Sequence, residues 1–187
     1  LALRKTVPSH LPVSVKVRLG WDCTSQAFEI ADAVQQGGAT EITIHGRTKA
    51  DGYHADRINW EKIGEVRSRL TIPVIANGEI WRWEDGQACL KATGCEDLMV
   101  GRGALNIPNL SLVLKQNCEK MSWTDIQKIL QKYAEMENFH DSGFYHVARI
   151  KQWLRYLNKE YPEADIVFER IKTCQTAEDL RERLCQY

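Results

Sequence analysis

The sequence lacks the cysteine spacings that mark a zinc site or a disulfide scaffold. Its six cysteines are scattered along 187 residues, with no Cys-x-x-Cys pair and no Cys/His cluster at the spacing of zinc ligands. Free thiols in a reducing compartment fit this pattern, and we expect no metal site.

An excess of charge of one sign is also lacking. The chain has 25 basic and 25 acidic residues, so no global basic field indicates nucleic acid, and only a local patch could serve it. Long apolar runs are missing too, since none approaches the ~18 residues of a membrane span, and no signal peptide is recognisable. We expect a cytoplasmic protein that is not inserted in a membrane. Oligomeric state leaves no signal in the sequence, and a monomer is the simplest expectation.

The first residues are typical of the end of a helix. Residues 1–7 are followed by Pro8 and Pro12, which break a helix, and the chain opens on leucine rather than methionine. We infer from this that an amino-terminal portion of the natural protein is missing.

Short apolar runs that stop at glycine and polar residues organise the first part of the chain. Ile72–Ile80 and Asp97–Ala104 are such runs, and they suit strands buried on both faces of a parallel sheet. Strands are predicted at 13–18, 41–45, 73–76 and 98–100, with helices between them. Four such units are half of a (β/α)8 TIM barrel. Half a barrel leaves two strand edges unpaired, which agrees with a missing portion.

From Ser122 onward only helical spacing is found. Ser122 and Thr176 suit helix caps, and four helices of a small all-helical bundle are predicted. The domains are therefore predicted as 1–118, a partial barrel, and 119–187, a helical domain.

The predicted strand ends converge if the sheet belongs to a barrel. The Gly101–Gly103 turn opens a helix, and its backbone amides together with Arg102 could bind phosphate. Lys16 lies within an apolar strand, where it could pair with Glu79 or hold an electron-rich ligand such as a flavin. We favour a ligand contact for His45 and regard Cys23 as a bystander, since no base neighbours it.

One predicted helix, 144–159, carries a row of cations. Arg149, Gln152 and Tyr156 share a face, and Lys151, Arg155 and Lys159 form a neighbouring stripe. A solvated helix face and a surface that follows RNA phosphates fit the spacing equally well.

Four motifs in the first part of the chain resemble those of the tRNA-dihydrouridine synthases. They are Val15–Trp21, Ile44–Thr48, Pro73–Ile80 and Met99–Ala104. In the helical part, Leu105–Leu110 and Tyr145–Trp153 are similar to the C-type bacterial branch, which acts on uridine 16 of the tRNA D-loop.

The resemblance implies an FMN-binding barrel followed by a helical tRNA-binding domain. NADPH would reduce FMN, the flavin would pass a hydride to C6 of uracil, and a cysteine would protonate C5. By motif position the implied FMN contacts are Lys16, His45, Asn77, Gly78, Glu79, Gly101 and Arg102. The implied tRNA contacts are Arg47, Tyr53, Arg149, Lys151, Gln152 and Tyr156.

The proton-donating cysteine of the family lies in an Asn-x-Gly-Cys-Pro motif, and this motif does not occur in the sequence. No catalytic residue is therefore assigned, and the chain alone is expected to lack synthase activity and to bind FMN poorly. Two alternatives stay open. One is a tRNA-binding module without catalysis, and the other is a different flavin barrel with a small-molecule substrate.

Overall fold

The structure is a computed structural model that describes residues 2–136 and 144–184. The chain divides into two compact units, Leu1–Gly101 and Arg102–Tyr187. Residues 102–118, which the sequence analysis placed with the partial barrel, belong to the second unit. One reason is local, because the side chain of Asn109 bonds to the backbone of Glu119 and Met121.

A parallel sheet of four strands forms the centre of the first unit. The strands are β1 (Ser14–Gly20), β2 (Glu41–Thr48), β3 (Val74–Asn77) and β4 (Asp97–Met99), in the spatial order β1-β2-β3-β4. All three pairings are parallel, as the alternation of strands and helices predicted. The predicted α/β class is therefore confirmed.

Two strands run further than the apolar pattern predicted. β1 continues to Gly20 and β2 to Thr48, and these two residues pair across an irregularity in the ladder. The Lys49 amide then donates to the Gly20 carbonyl over 2.9 Å. Pairing between neighbours thus extends β1 over residues 19–20 and β2 over residues 46–48.

Helices follow the strands as expected. They are α1 (Ala2–Thr6), α2 (Ala27–Gln36), α3 (Trp60–Arg67) and α4 (Trp83–Thr93), with a short 3-10 helix at Ala55–Arg57. The predicted cap of α3 is confirmed, since Asn59 Oδ1 accepts from the Lys62 amide over 2.8 Å. Helix α1 confirms that the chain opens with helical residues.

The two faces of the sheet differ in chemistry. On one face Ile42, Ile44 and Ala76 are at most 2% exposed, and α2, α3 and α4 pack on the sheet. Successive side chains of a strand point to opposite faces. The polar residues of the strands therefore share the other face, namely Lys16, Arg18, Thr43, His45 and Asn77.

The second unit consists of helices. They are α5 (Gly103–Asn106), α6 (Leu110–Gln116), α7 (Trp123–Glu135), α8 (Phe144–Leu157), α9 (Glu163–Ile171) and α10 (Ala177–Leu184). Helices α7–α10 surround one hydrophobic core that includes Leu130, Ile150 and Ile171. The predicted caps are present, because Ser122 accepts from the Asp125 amide and Thr176 from the Asp179 amide.

Within the described ranges, no helix is long and apolar enough to cross a membrane. Five cysteines of the described chain carry free thiols, namely Cys23, Cys89, Cys95, Cys118 and Cys174. Cys185 lies outside the described residues.

Candidate functional site

Arg18, His45 and Asn77 stand side by side at the carboxyl ends of three strands. The register pairs Arg18 with His45, His45 with Asn77, and Asn77 with Met99. Neighbouring strands of a sheet lie about 4.8 Å apart. A guanidinium, an imidazole and an amide therefore form one row across the sheet, on the face opposite the helices.

The imidazole of His45 is kept neutral by its surroundings. Burial lowers its pKa to about 4, and the charges of Arg18, Lys16 and Arg47 act in the same direction. A neutral imidazole donates through one nitrogen and accepts through the other. His45 can thus contact a polar ligand without adding charge.

Lys16 lies two residues before Arg18 on the same face of β1, paired with Thr43 of β2. Partial burial, followed by the charge of Arg18, lowers the pKa of Lys16. Lys16 is an exposed residue, so its ammonium group stays accessible to a ligand. Glu79, the structural partner considered for it, pairs with Arg47 and Trp81.

Arg47 is enclosed in this chain. Its side chain is buried and donates to Glu79 over 2.5 Å, and its contact with tRNA stays a prediction. Nε and Nη1 of Arg47 are buried without a hydrogen-bond partner in the described structure. Arg47 lies in the irregular part of the β1–β2 ladder, between the His45 and Thr48 pairs, and its side chain is buried there.

Two side-chain hydrogen bonds hold the end of β3 and the turn after it. Asn77 donates its side-chain amide to the Met99 carbonyl over 2.7 Å, and Trp60 Nε1 donates to the Gly78 carbonyl over 3.0 Å. Gly78 has a φ of 122°, and a Cβ atom there would lie 2.9 Å from Cδ2 of His45. Glu79 follows with a φ of 53°. Glycine at position 78 therefore avoids a steric clash with the imidazole of His45.

The loop after β2 brings Tyr53 to the surface. The carboxylate of Asp51 accepts from the amide and hydroxyl of Thr48 over 2.8 and 2.7 Å. Arg18 donates to the carbonyls of Thr48 and Gly52, and its guanidinium lies 5.6 Å from the centroid of Tyr53. The ring of Tyr53 is 70% exposed. The sequence analysis did not identify Arg18 as an anchor of this loop. Its acceptors are backbone carbonyls, which every residue type carries.

The Gly101–Gly103 turn leads from β4 into α5. Gly101 and Arg102 are exposed, and among the described residues none other than the chain neighbours of Gly101 lies within 4 Å of a Cβ built there. Arg102 precedes the first helical residue, Gly103. The backbone here leaves room for a ligand to approach, as the phosphate prediction requires.

Helix α8 presents Arg149, Gln152 and Tyr156 on one face. Arg149 Nη1 donates to Gln152 Oε1 over 2.8 Å, and its guanidinium lies 4.7 Å from the ring centroid of Tyr145. These contacts hold the exposed guanidinium of Arg149 beside the ring of Tyr145. This grouping suits RNA better than an isolated surface charge does.

Lys151 has a structural task that the sequence did not reveal. Its ammonium donates to the carbonyls of Lys172 and Cys174 over 2.8 and 2.6 Å, just after the end of α9. A cation is favourable at this end of a helix. Two of the three donors of the Lys151 ammonium are used internally, and its contact with tRNA stays a prediction.

Residues 1–185 match the sequence family described as "Dihydrouridine synthase (Dus)". The chain belongs to the dihydrouridine synthase family. The resemblance inferred from the four motifs is confirmed, and these motifs include His45, Asn77 and Arg102.

Curated members of the dihydrouridine synthase family are close in sequence. A tRNA-dihydrouridine(16) synthase of Haemophilus influenzae is 80% identical over 183 residues, which are 98% of this chain and 59% of that protein. The enzyme of the same name from Escherichia coli (strain K12) is 58% identical over 179 residues, covering 96% and 57% of the two chains. The chain thus spans somewhat more than half the length of these relatives.

A solved mandelate oxidase structure with (S)-mandelic acid is a distant neighbour. It has 15% sequence identity, covers 89% of this chain and 57% of that chain, and gives a TM-score of 0.39. This likeness is too weak to support a conclusion about fold or ligand.

Proposed function

We propose that this chain is part of an enzyme that reduces uridine to 5,6-dihydrouridine in the D-loop of tRNA. The position is 16, as in the names of its curated relatives. The observation that carries the proposal is the row of Arg18, His45 and Asn77 at the carboxyl ends of parallel strands, in a chain of the dihydrouridine synthase family. Ligands of parallel sheets bind at these ends.

The four strands supply the last four units of a (β/α)8 barrel. Their order in space equals their order in the chain, which is what successive barrel units require. Helices α7–α10 form the domain that contacts tRNA, with the boundary between Gly101 and Arg102 rather than at residue 118.

FMN is the cofactor in this proposal, and the residues present fit it. When bound and reduced by NADPH, FMN supplies the hydride for C6 of uracil. Lys16 would supply positive charge to the flavin, His45 and Asn77 would offer neutral polar groups, and Gly78 keeps the backbone clear of His45. Gly101 and Arg102 would hold the phosphate.

Glu79 has a supporting role beside these contacts. Its carboxylate accepts from Arg47 over 2.5 Å and from Trp81 Nε1 over 2.8 Å, so it orients both side chains. We therefore assign Glu79 to holding the turn after Asn77 rather than to a separate cofactor contact.

Tyr53, Arg149, Gln152 and Tyr156 are the tRNA contacts that the geometry favours. Tyr53 and Arg149 are exposed, and each pairs an aromatic ring with a guanidinium. Arg47 and Lys151 act inside their own units. The enzyme works as a monomer in the cytoplasm under this proposal.

This chain alone does not turn over uridine in our proposal, since its sequence has no Asn-x-Gly-Cys-Pro motif for the proton donor. A hybrid protein tests the function. Residues 1–185 replace the matching segment of the Haemophilus influenzae relative, and the hybrid is produced in a bacterial strain without its own position-16 synthase. The expected result is dihydrouridine at position 16 of tRNA, measured by mass spectrometry of tRNA fragments.

The chain alone serves as the matched control and should give no dihydrouridine. A folded hybrid that leaves uridine 16 unmodified would contradict the proposal. Turnover by the chain alone would contradict the part that assigns the proton donor elsewhere.

A further inference from the structure

Arg18 connects the first strand to the loop that follows the second. This β2–α3 loop comprises residues 49–59. Arg18 lies on the neighbouring strand β1, and its Nη1 donates to the Thr48 carbonyl over 2.7 Å and to the Gly52 carbonyl over 3.2 Å. The two acceptors lie on either side of the turn at residues 49–51. Arg18 therefore holds both ends of this turn against the sheet.

The turn itself is closed by bonds that do not involve Arg18. The carboxylate of Asp51 accepts from the amide and the hydroxyl of Thr48 over 2.8 and 2.7 Å. The Gly52 amide donates to the Lys49 carbonyl over 3.2 Å. Without Arg18 these bonds should keep the turn formed, and the attachment of Gly52 to β1 would be lost.

Tyr53 follows directly after this attachment point. Its residue is 70% exposed, and the guanidinium of Arg18 lies 5.6 Å from the centroid of its ring. A guanidinium over an aromatic face is attracted by the ring electrons. A ring that exposes most of its surface is held by little packing, so its direction depends on the backbone that carries it and on the guanidinium beside it.

We propose that Arg18 is a positioning residue for Tyr53, which holds the β2–α3 loop where the exposed ring meets the tRNA. The inference rests on the proposed function, which makes tRNA the ligand of Tyr53. Both hydrogens of Nη1 of Arg18 are used on carbonyls at the two ends of one turn. The guanidinium thus acts on tRNA through the loop.

The charge of Arg18 offers a second route to the same site. Burial and then the charge of Arg18 lower the pKa of Lys16 and of His45. Lysine would keep this charge, but it lacks the planar guanidinium that bridges two carbonyls while it lies against a ring. A lysine at position 18 therefore separates the position of the loop from the charge.

A double-mutant cycle in the hybrid protein tests the positioning role. The probe is an unmodified tRNA transcript with uridine at position 16, and the measured quantity is its Kd. Tyr53→Leu should weaken binding about fivefold or more, as the loss of stacking on an aromatic ring implies. Arg18→Met should weaken binding by a similar factor. The double variant should bind no more weakly than Tyr53→Leu alone, because Arg18 acts through Tyr53.

Three controls accompany the cycle. Arg18→Lys should weaken binding as Arg18→Met does, and it takes the place of Arg18→Met if that variant proves unfolded by circular dichroism. Flavin absorbance per polypeptide should match the parent in each variant, because Arg18 is not among the proposed FMN contacts. Lys91→Met removes an exposed cation from the last turn of α4, which leads to the opposite end of the strands, and it should bind tRNA as the parent does.

Full additivity of the two losses in the double variant would overturn the positioning role. Parent-like binding by Arg18→Met or Arg18→Lys, or loss of FMN from folded Arg18→Met, would overturn it as well. A parent hybrid that leaves uridine 16 unmodified would remove the proposed function, whereas a non-additive loss of tRNA binding in that protein would keep the positioning role. A parent hybrid that binds no tRNA would contradict both.

Discussion

At the residue scale, His45 shows how neighbouring charges set the state of a polar group. Burial and the nearby cations lower its pKa to about 4. We predict that the His45 ring titrates near pH 4, measured by NMR on the folded chain. Arg18→Gln removes the largest charge contribution and should raise this pKa. A value near the ordinary 6.5 in the unchanged chain would contradict the account.

The lowered pKa of His45 also determines the direction in which the free energy of unfolding changes with pH. Between pH 6.5 and pH 4 the unfolded chain binds more protons at His45 than the folded chain does, so this residue makes stability rise with pH across that window. His45→Gln, which cannot titrate, should reduce the slope of the free energy of unfolding there.

Arg47 and Glu79 form an enclosed ion pair at this edge of the sheet. The side chains are 0% and 12% exposed. Arg47→Met leaves the carboxylate of Glu79 without this partner, and we expect the free energy of unfolding to fall by about 3 kcal/mol. Chemical denaturation measures it. Lys128→Ala, which breaks an exposed pair with Asp125, is the control and should change little. Equal losses of unfolding free energy in both variants would show that the buried pair stabilises the fold no more than the exposed pair does.

At the element scale, the turn after β3 depends on a glycine. Gly78→Ala would place a Cβ 2.6 Å from Cδ1 of Ile58 at a φ of 122°. We expect a loss of about 1–3 kcal/mol in the free energy of unfolding and a displaced NMR signal of His45. Gly101→Ala meets nothing within 4 Å and should cost little. The account of this turn fails if the two alanine variants are equally stable.

Local sequence patterns predicted the positions of strands and helix caps better than they predicted how the strands pair. The runs ending at Gly78 and Gly101 indicated strands, and Asn59 and Ser122 were recognised as caps, because these signals lie within a few residues. The ladder that extends β2 to Thr48, and with it the burial of Arg47, depends on pairing with β1. No local sequence pattern contains that pairing.

The same limit applies to Lys151. Helical spacing placed it correctly on α8, next to the face of Arg149 and Gln152. Its acceptors are carbonyls at residues 172 and 174, beyond the end of another helix. Backbone acceptors leave no mark on residue type, so the sequence could show that Lys151 is a cation but not what it binds.

At the scale of the whole molecule, the two units account for different parts of the proposed enzyme. The parallel sheet carries the polar row of Arg18, His45 and Asn77, to which we assign the proposed cofactor, and the helical unit carries α8, to which we assign tRNA contacts. The four motifs are short and local, so the sequence alone could place the chain in its family. The start of the second unit at Arg102 could not be read from them, since α5 packs against α8, where Trp153 Nε1 donates to the Leu105 carbonyl.

The amount of FMN retained by the purified hybrid protein tests the central claim most directly. The claim is that the strand ends and the Gly101–Gly103 turn hold the cofactor. Visible flavin absorbance per polypeptide should be close to one FMN in the parent hybrid and clearly lower after Arg102→Ala. Lys115→Ala, which removes a cation from α6, should retain the parent value. Undiminished FMN in folded Arg102→Ala, or a parent hybrid without FMN, would contradict the claim.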